Sequence, residues 1–244
     1  MADKIVLITG ASRGIGAAIA KRFSALDCIV LINYLKSKKE AELLKKEIEL
    51  LGGKAELVKG DISKEQDIKD IFLSIKGKYK RLDCLVNNAS LSGGFSKVVD
   101  LSYEILEKVF LTNTFGAILC AREALKIMRS QKFGNIINIT SEAAKFGGVN
   151  MSHYAASKAA VEVFTKALAR EAAEYNVRVN AVSPSVIDTD SHKDVPEERK
   201  KALLGSIPCK RMGEPKEVAD VVFWLDSDQS SYVSGSIVSV SGAR

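Results

Sequence analysis

At 244 residues, the chain can bury one substantial core, or at most two small ones. Its 46% hydrophobic and 27% charged residues are those of an ordinary soluble globular domain, and no apolar run approaches the ~20 residues a membrane helix needs. The net charge is +6, but the lysines are scattered and lack interleaved aromatics. That argues against a nucleic-acid face and leaves a positive field that favours an anionic cofactor or substrate.

The four cysteines, Cys28, Cys84, Cys120 and Cys209, form no C-x-x-C pair, and there are two histidines, His153 and His192. No metal site is expected from so sparse a set. Cys28 and Cys84 fall in apolar runs and read as buried thiols, which suits a reducing cytoplasm. Met1–Lys4 leads straight into an apolar run, so no secretion signal is expected.

In chain order, Ile5–Ile8 is a short β-branched run and reads as a buried strand. A helix is expected over 15–26, then a strand at Cys28–Ile32. A charged amphipathic helix over 37–51 ends at Gly52-Gly53, and Ala55–Val58 is the third strand. Ser63 is the expected N-cap of the next helix, with Glu65 near its start. Leu82–Val86 is a fourth strand. A long helical stretch follows over about 102–130, with a break near Thr112–Thr114. Asn135–Ile139 is a strand, 152–175 a long helix, and Val177–Val182 a sixth strand. Helical segments near 196–204 and 215–226 precede a last strand, Ser236–Val240. The long irregular stretch at about 183–195 is where a substrate lid would sit.

This alternation predicts an α/β fold: one doubly wound, parallel, seven-stranded sheet with helices on both faces, Rossmann-like. Strands buried on both faces read as unbroken apolar runs, as these do. No linker or repeat divides the chain, so residues 1–244 are expected to form a single domain.

The turn Thr9-Gly10-Ala11-Ser12-Arg13-Gly14-Ile15-Gly16 joins the first strand to the first helix. Glycines there permit a tight turn and close approach of backbone to a pyrophosphate, whose oxygens meet the free N–H groups of the helix N-terminus. The second strand ends Asn33-Tyr34, with no acid before Glu40 to bond a ribose 2′-hydroxyl. Arg13, Lys36 and Ser37 are nearby and would attract a 2′-phosphate. NADP(H) is therefore expected in preference to NAD(H). Farther on, Tyr154-Ala-Ala-Ser-Lys158 places a phenol and an ammonium on one helical face. A cation so placed is expected to lower the phenol's pKa toward proton-transfer chemistry. Alone, such a pair arises by chance at roughly even odds.

With these residues go Asp61-Ile62, Asn87-Asn88-Ala89, Asn113, Ser141, and Ser183-Pro184 followed by Thr189. Their order and spacing resemble the short-chain dehydrogenase/reductase family, in its compact single-domain branch, and are similar to those of 3-oxoacyl-carrier-protein reductases and glucose/ribitol-type dehydrogenases. The resemblance implies that Ser141 bonds the substrate oxygen and that Tyr154 gives or takes its proton. It implies that Lys158 binds the nicotinamide ribose and tunes the phenol, and that Asn113 holds a water linking Lys158 to solvent. By the same resemblance Asp61 and Ile62 contact the adenine and Asn88 and Ala89 line the adenosine ribose. Pro184, Ile187 and Thr189 lie at the nicotinamide, and a lid covers about 186–212.

Three positions depart from the family pattern: Ser90 and Ser185 stand where glycine is usual, and Gly242-Ala243 where a Gly-Gly pair is. The expected function is NADPH-dependent hydride transfer to or from a small-molecule carbonyl or alcohol. One alternative is a 3-oxoacyl-carrier-protein reductase, for which the two docking positions carry Lys132 and Tyr175 rather than two arginines. Another is a non-catalytic NADP(H) sensor. No G-x-S-x-G motif and no triad histidine point to a hydrolase. A homotetramer or homodimer through the long helices is expected, with no nucleic-acid or membrane partner.

Overall fold

The computed structural model describes residues 3–25, 27–189, 204–205 and 207–244. Seven parallel strands make one sheet in the order β3-β2-β1-β4-β5-β6-β7. These are β1 Lys4–Ile8, β2 Cys28–Tyr34, β3 Lys54–Lys59, β4 Cys84–Asn87, β5 Gly134–Ile139, β6 Val177–Pro184 and β7 Ile237–Val240. The helices are α1 Gly14–Ser24, α2 Lys38–Leu50, α3 Glu65–Tyr79, α4 Tyr103–Phe110, α5 Gly116–Gln131, α6 Ala143–Phe146, α7 Ser152–Ala172 and α8 Pro215–Asp226. The helical segment expected near 196–204, and most of the lid expected over 186–212, lie outside the described residues.

Strand alternation divides the core between two faces. Val6 and Ile8 of β1 pack with Ile19 and Phe23 of α1, Leu44 and Ile48 of α2, and Val218 and Val222 of α8. Ile5 and Leu7 of the same strand point the other way, toward Ile68 and Phe72 of α3, Ala121 and Ala124 of α5, and Leu168 of α7. This is the two-sided burial that the unbroken apolar runs foretold. Cys28, Cys84 and Cys120 are buried and Cys209 is exposed, all as free thiols.

The chain reverses its direction of growth between β1 and β4, the two central strands. An open α/β sheet has its crevice there, outside the carboxyl ends of the strands. Val6 pairs with Cys84 and Ile8 with Val86, so the loops after β1 and β4 emerge side by side.

Two details differ from expectation. Ser63 does not cap α3. The helix begins at Glu65, with Lys64 in the cap position and no side-chain cap. The Ser63 hydroxyl is turned instead to the charged Asp61 carboxylate, donating to it at 2.6 Å. The break expected near Thr112–Thr114 is a π-helical turn, Leu111–Phe115, between α4 and α5. The Gly116 N–H bonds the Leu111 carbonyl, five residues back. Such turns re-aim side chains and recur at functional sites.

Candidate active site

The glycine turn is shaped by its neighbours across the switch point. Gly10 and Gly14 adopt φ of +60° and +57°, a left-handed backbone that favours glycine. A Cβ on Gly10 would lie 2.8 Å from the Ala89 Cα, and one on Gly16 would lie 2.5 Å from the Asn88 Nδ2. The Asn88 amide donates to the carbonyls of Thr9 and Gly10, at 2.9 and 3.1 Å. The Thr9 hydroxyl accepts the N–H groups of Asn88 and Ala89, both at 3.0 Å. Two loops are thus stitched into one floor beneath the start of α1.

Asn33 belongs to that floor as well. Its Oδ1 accepts the Gly10 N–H at 3.2 Å and its amide donates to Val58 and Gly60 carbonyls. Its side chain is therefore engaged in holding the turn, and Tyr34 is packed into the core. Arg13 and Lys36 are exposed, and neither forms an ion pair among the described residues. Ser12 and Ile15 sit half-buried in the turn, and Ser37 half-buried before α2. Asp61 and Ile62 follow β3; a Cβ on Gly116 would meet the Ile62 carbonyl at 2.6 Å, so the start of α5 closes on this loop.

On the other side of the crevice, β6 ends at Pro184. Ser183 and Ser185 have buried hydroxyls without a protein partner. The chain beyond is held by a bridge between Ile187 and Gly213 that uses the Asp188 N–H and the Val186 carbonyl, not Ile187's own groups. Thr189 approaches the glycine turn: its Cγ2 would lie 3.5 Å from a Cβ on Gly14. The left-handed glycine floor, the exposed cations and these unpartnered hydroxyls fit a dinucleotide whose phosphates lie on α1 and whose far end reaches β6.

The four expected catalytic residues are brought together. Lys158, one turn along α7 from Tyr154, is buried, with its Nζ 5.8 Å from the centroid of the Tyr154 ring. The ammonium donates to the Ile139 carbonyl at 2.8 Å. Burial pushes the Lys158 pKa down to about 8. Burial also pushes the Tyr154 phenol above its ordinary value, and hydrogen bonding from Ser141 and Ser90 offsets part of the rise. The net shift of the phenol is upward in this geometry, with desolvation its largest cause.

Asn113 sits on the π turn and is buried. Its Oδ1 accepts the Leu91 N–H at 2.7 Å and the Ser90 hydroxyl at 3.3 Å. Its amide donates to the Leu91 carbonyl at 2.9 Å and the Ser157 hydroxyl at 3.0 Å. The residue clamps the loop after β4 to α7. His153 helps from the next position along: its Nε2 is 3.0 Å from the Ser92 carbonyl. It is a buried packing residue. Sequence reasoning noted Ser90 as a departure but missed its contact with Asn113; its place directly after Asn87-Asn88-Ala89 was the available signal.

Comparison with known proteins agrees with this geometry. A family profile described as "Enoyl-(Acyl carrier protein) reductase" matches residues 10–242. The chain is 36% identical over 239 residues to the 3-oxoacyl-(acyl-carrier-protein) reductase FabG of Thermotoga maritima, covering 98% of this chain and 96% of that one. The chain belongs to the short-chain dehydrogenase/reductase family. A second relative, a 3-oxoacyl-(acyl-carrier-protein) reductase of Synechocystis, is 36% identical over 240 residues, with 98% and 96% coverage. As a short-chain dehydrogenase/reductase, the protein is an NAD(P)-dependent oxidoreductase acting on carbonyl or hydroxyl groups. No described helix is long and apolar enough to cross a membrane.

The departures from the family pattern differ in consequence. Neither Ser90 nor Ser185 has a positive φ, so neither serine strains the backbone. Ala243 does: its φ is +68°, a conformation that disfavours a side chain.

Proposed function

We infer that the protein reduces a small-molecule ketone or aldehyde with NADPH, with Tyr154 as the general acid. The observation that carries this reading is the buried Lys158 one turn along α7 from Tyr154, its Nζ 5.8 Å from the phenol ring, with the Ser141 hydroxyl acting on the same phenol. Negative charge builds on a carbonyl oxygen as hydride arrives. Two hydroxyl donors aimed at that oxygen stabilise it, and Tyr154 then yields the proton at its Oη. A bound nicotinamide nucleotide supplies the hydride. Lys158 has two N–H donors beyond the one on Ile139, which suit ribose hydroxyls. Arg13 and Lys36, free of ion pairs among the described residues, support the preference for a 2′-phosphate. The same reading makes residues 1–244 one catalytic domain and sets it in a reducing cytoplasm, consistent with its free thiols.

A second reading is 3-oxoacyl-carrier-protein reduction, favoured by the names of the two relatives. Against it, Lys132 Nζ lies 5.1 Å over the Tyr175 ring, so the two docking positions offer an acidic partner one cation. Turnover of a panel of ketones, sugars and acyl thioesters with NADPH and NADH tests both. A lower KM for NADH refutes the cofactor reading. Acetoacetyl-CoA turned over as fast as the best small ketone installs the second. Self-association is part of the proposal: Tyr103, Phe115 and Val163, on α4, the π turn and α7, are 72%, 52% and 68% exposed, and a dimer or tetramer would cover them.

A further inference from the structure

Ser141 follows β5 between two buried neighbours, Thr140 and Glu142. Each neighbour ties its own stretch of chain to other elements. The Thr140 N–H donates to the Val182 carbonyl of β6 at 2.8 Å. Its hydroxyl reaches the Glu162 carboxylate of α7 at 3.0 Å, about two helical turns beyond Tyr154. On the other side, the Glu142 N–H donates to the Pro184 carbonyl at the end of β6, at 3.0 Å. The Glu142 Oε1 accepts the Ser239 hydroxyl of β7 at 2.7 Å. Ser141 is therefore bracketed. β6 and α7 hold the residue before it, and β6 and β7 hold the residue after it.

The bracket decides what the Ser141 hydroxyl can do. Its Oγ accepts the Ala143 N–H at 3.2 Å. One acceptor site is used inside the turn, and the single proton is left to donate. That contact spans Glu142, so it depends on where Glu142 is held. A carboxylate is a costly side chain for this place. It is buried, and among the described residues it forms no ion pair. It also has a like charge for company. Burial pushes the Glu162 carboxyl above its ordinary value, the Thr140 hydroxyl offsets part of the rise, and the Glu142 charge adds to it. An apolar side chain would be cheaper to bury here. What the carboxylate adds is an acceptor that reaches β7.

We propose that Glu142 is a positioning residue for the reaction, which holds the Ser141 hydroxyl in its donating orientation by fastening the serine's turn to β7 through Ser239. The proposal rests on the reading of Ser141 as a donor to the substrate oxygen. Glu142 gives and takes no proton in the reaction. Its effect passes through Ser141, where a misplacement of about 1 Å costs on the order of a hundredfold in rate.

The test is a double-mutant cycle on single-turnover reduction of the fastest ketone of the substrate panel, with sites counted by NADPH binding. Glu142→Leu keeps a similar volume and loses the acceptor. It is expected to lower the rate about ten- to a hundredfold, with NADPH affinity unchanged. Glu142→Gln keeps an oxygen that can accept from Ser239, and should restore the rate to within about threefold of native. Ser239→Ala should lower the rate in the same direction without altering the buried side chain. In a Ser141→Ala background neither Glu142→Leu nor Ser239→Ala should slow the reaction further, because the hydroxyl they position is gone. If melting shows that Glu142→Leu does not fold, Ser239→Ala completes the cycle. A native rate in Glu142→Leu or Ser239→Ala overturns the proposal. So does a loss in Glu142→Gln as large as in Glu142→Leu, or an undiminished loss in the Ser141→Ala background. A native rate in Ser141→Ala alone overturns instead the reading of Ser141 beneath it.

Discussion

Replacing Lys158 by methionine removes a charge that the fold holds at a cost. The unfolded chain keeps the lysine proton up to its ordinary pKa of 10.5, the folded chain only to about 8. Below pH 8 both states are protonated and the folded state bears the whole desolvation penalty. Between the two values the folded protein sheds its proton first, so the penalty fades as pH rises. The gap corresponds to about 3 kcal/mol at neutral pH. Methionine fills a similar volume without the charge, but leaves the Ile139 carbonyl unbonded, which costs about 1–3 kcal/mol. Lys158→Met should therefore be as stable as the native protein at pH 7, or more stable by up to about 2 kcal/mol. The sharper quantity is the pH dependence. Between pH 7 and pH 10 the native protein should gain about 2–3 kcal/mol relative to the variant. Urea unfolding of both proteins at equal concentration and without cofactor measures this. A difference that stays constant with pH would show that Lys158 is not held as a desolvated cation. The variant should also lose turnover, so that function and stability part company at this residue.

Tyr154→Phe should lower kcat by at least about a thousandfold, on the order of a lost general acid together with an oxyanion donor, while NADPH binding, followed by cofactor fluorescence, changes little. Gly10→Ala forces a Cβ to 2.8 Å from the Ala89 Cα at a φ of +60°; a loss of about 1–3 kcal/mol is expected, with NADPH affinity falling as well, and an unshifted melting curve would contradict it. Lys36→Ala and Arg13→Ala should each raise the KM for NADPH about tenfold, the order of one charge-assisted phosphate contact, and leave that for NADH unchanged; equal effects on both cofactors would place the 2′-phosphate elsewhere.

The fold was legible because it is written in local terms. Ile5–Ile8 and Asn135–Ile139 are apolar runs too short for helices, and the helices between them carry their own periodicity. That the strands run parallel followed from their alternation with helices and needed no side-chain contact. What stayed hidden depended on residues far apart in sequence. The interruption at Thr112–Thr114 was visible, but its π geometry accompanies Asn113 being clamped to Leu91, more than twenty positions earlier. Asn33 stood where a ribose contact belongs, yet its amide serves Val58 and Gly60. Ser63 obeyed the capping rule in type and lost to a carboxylate two residues away. The Tyr154–Lys158 pair was legible as a pair, but the sign of the phenol's shift was not. Spacing reports proximity, whereas burial, which decides the sign here, emerges only when β5, α7 and the loop after β4 close together.

Asn113 shows how that closure confines each group to one task. The carboxamide oxygen receives two donors and the amide nitrogen makes two bonds. That is the full capacity of the side chain. Its side chain has no valence left for a substrate or for a water. The side chain's work is positional: it fixes Leu91, and through Leu91 the serine beside it, against the helix that bears Tyr154. Lys158 is confined in the same way, with one N–H on Ile139 and the others left for a ligand. A site built like this needs little rearrangement when charge moves through it. In the proposed reaction, the groups whose hydrogens can turn without moving a backbone are the hydroxyls of Ser141 and Tyr154, the two donors assigned to the substrate oxygen.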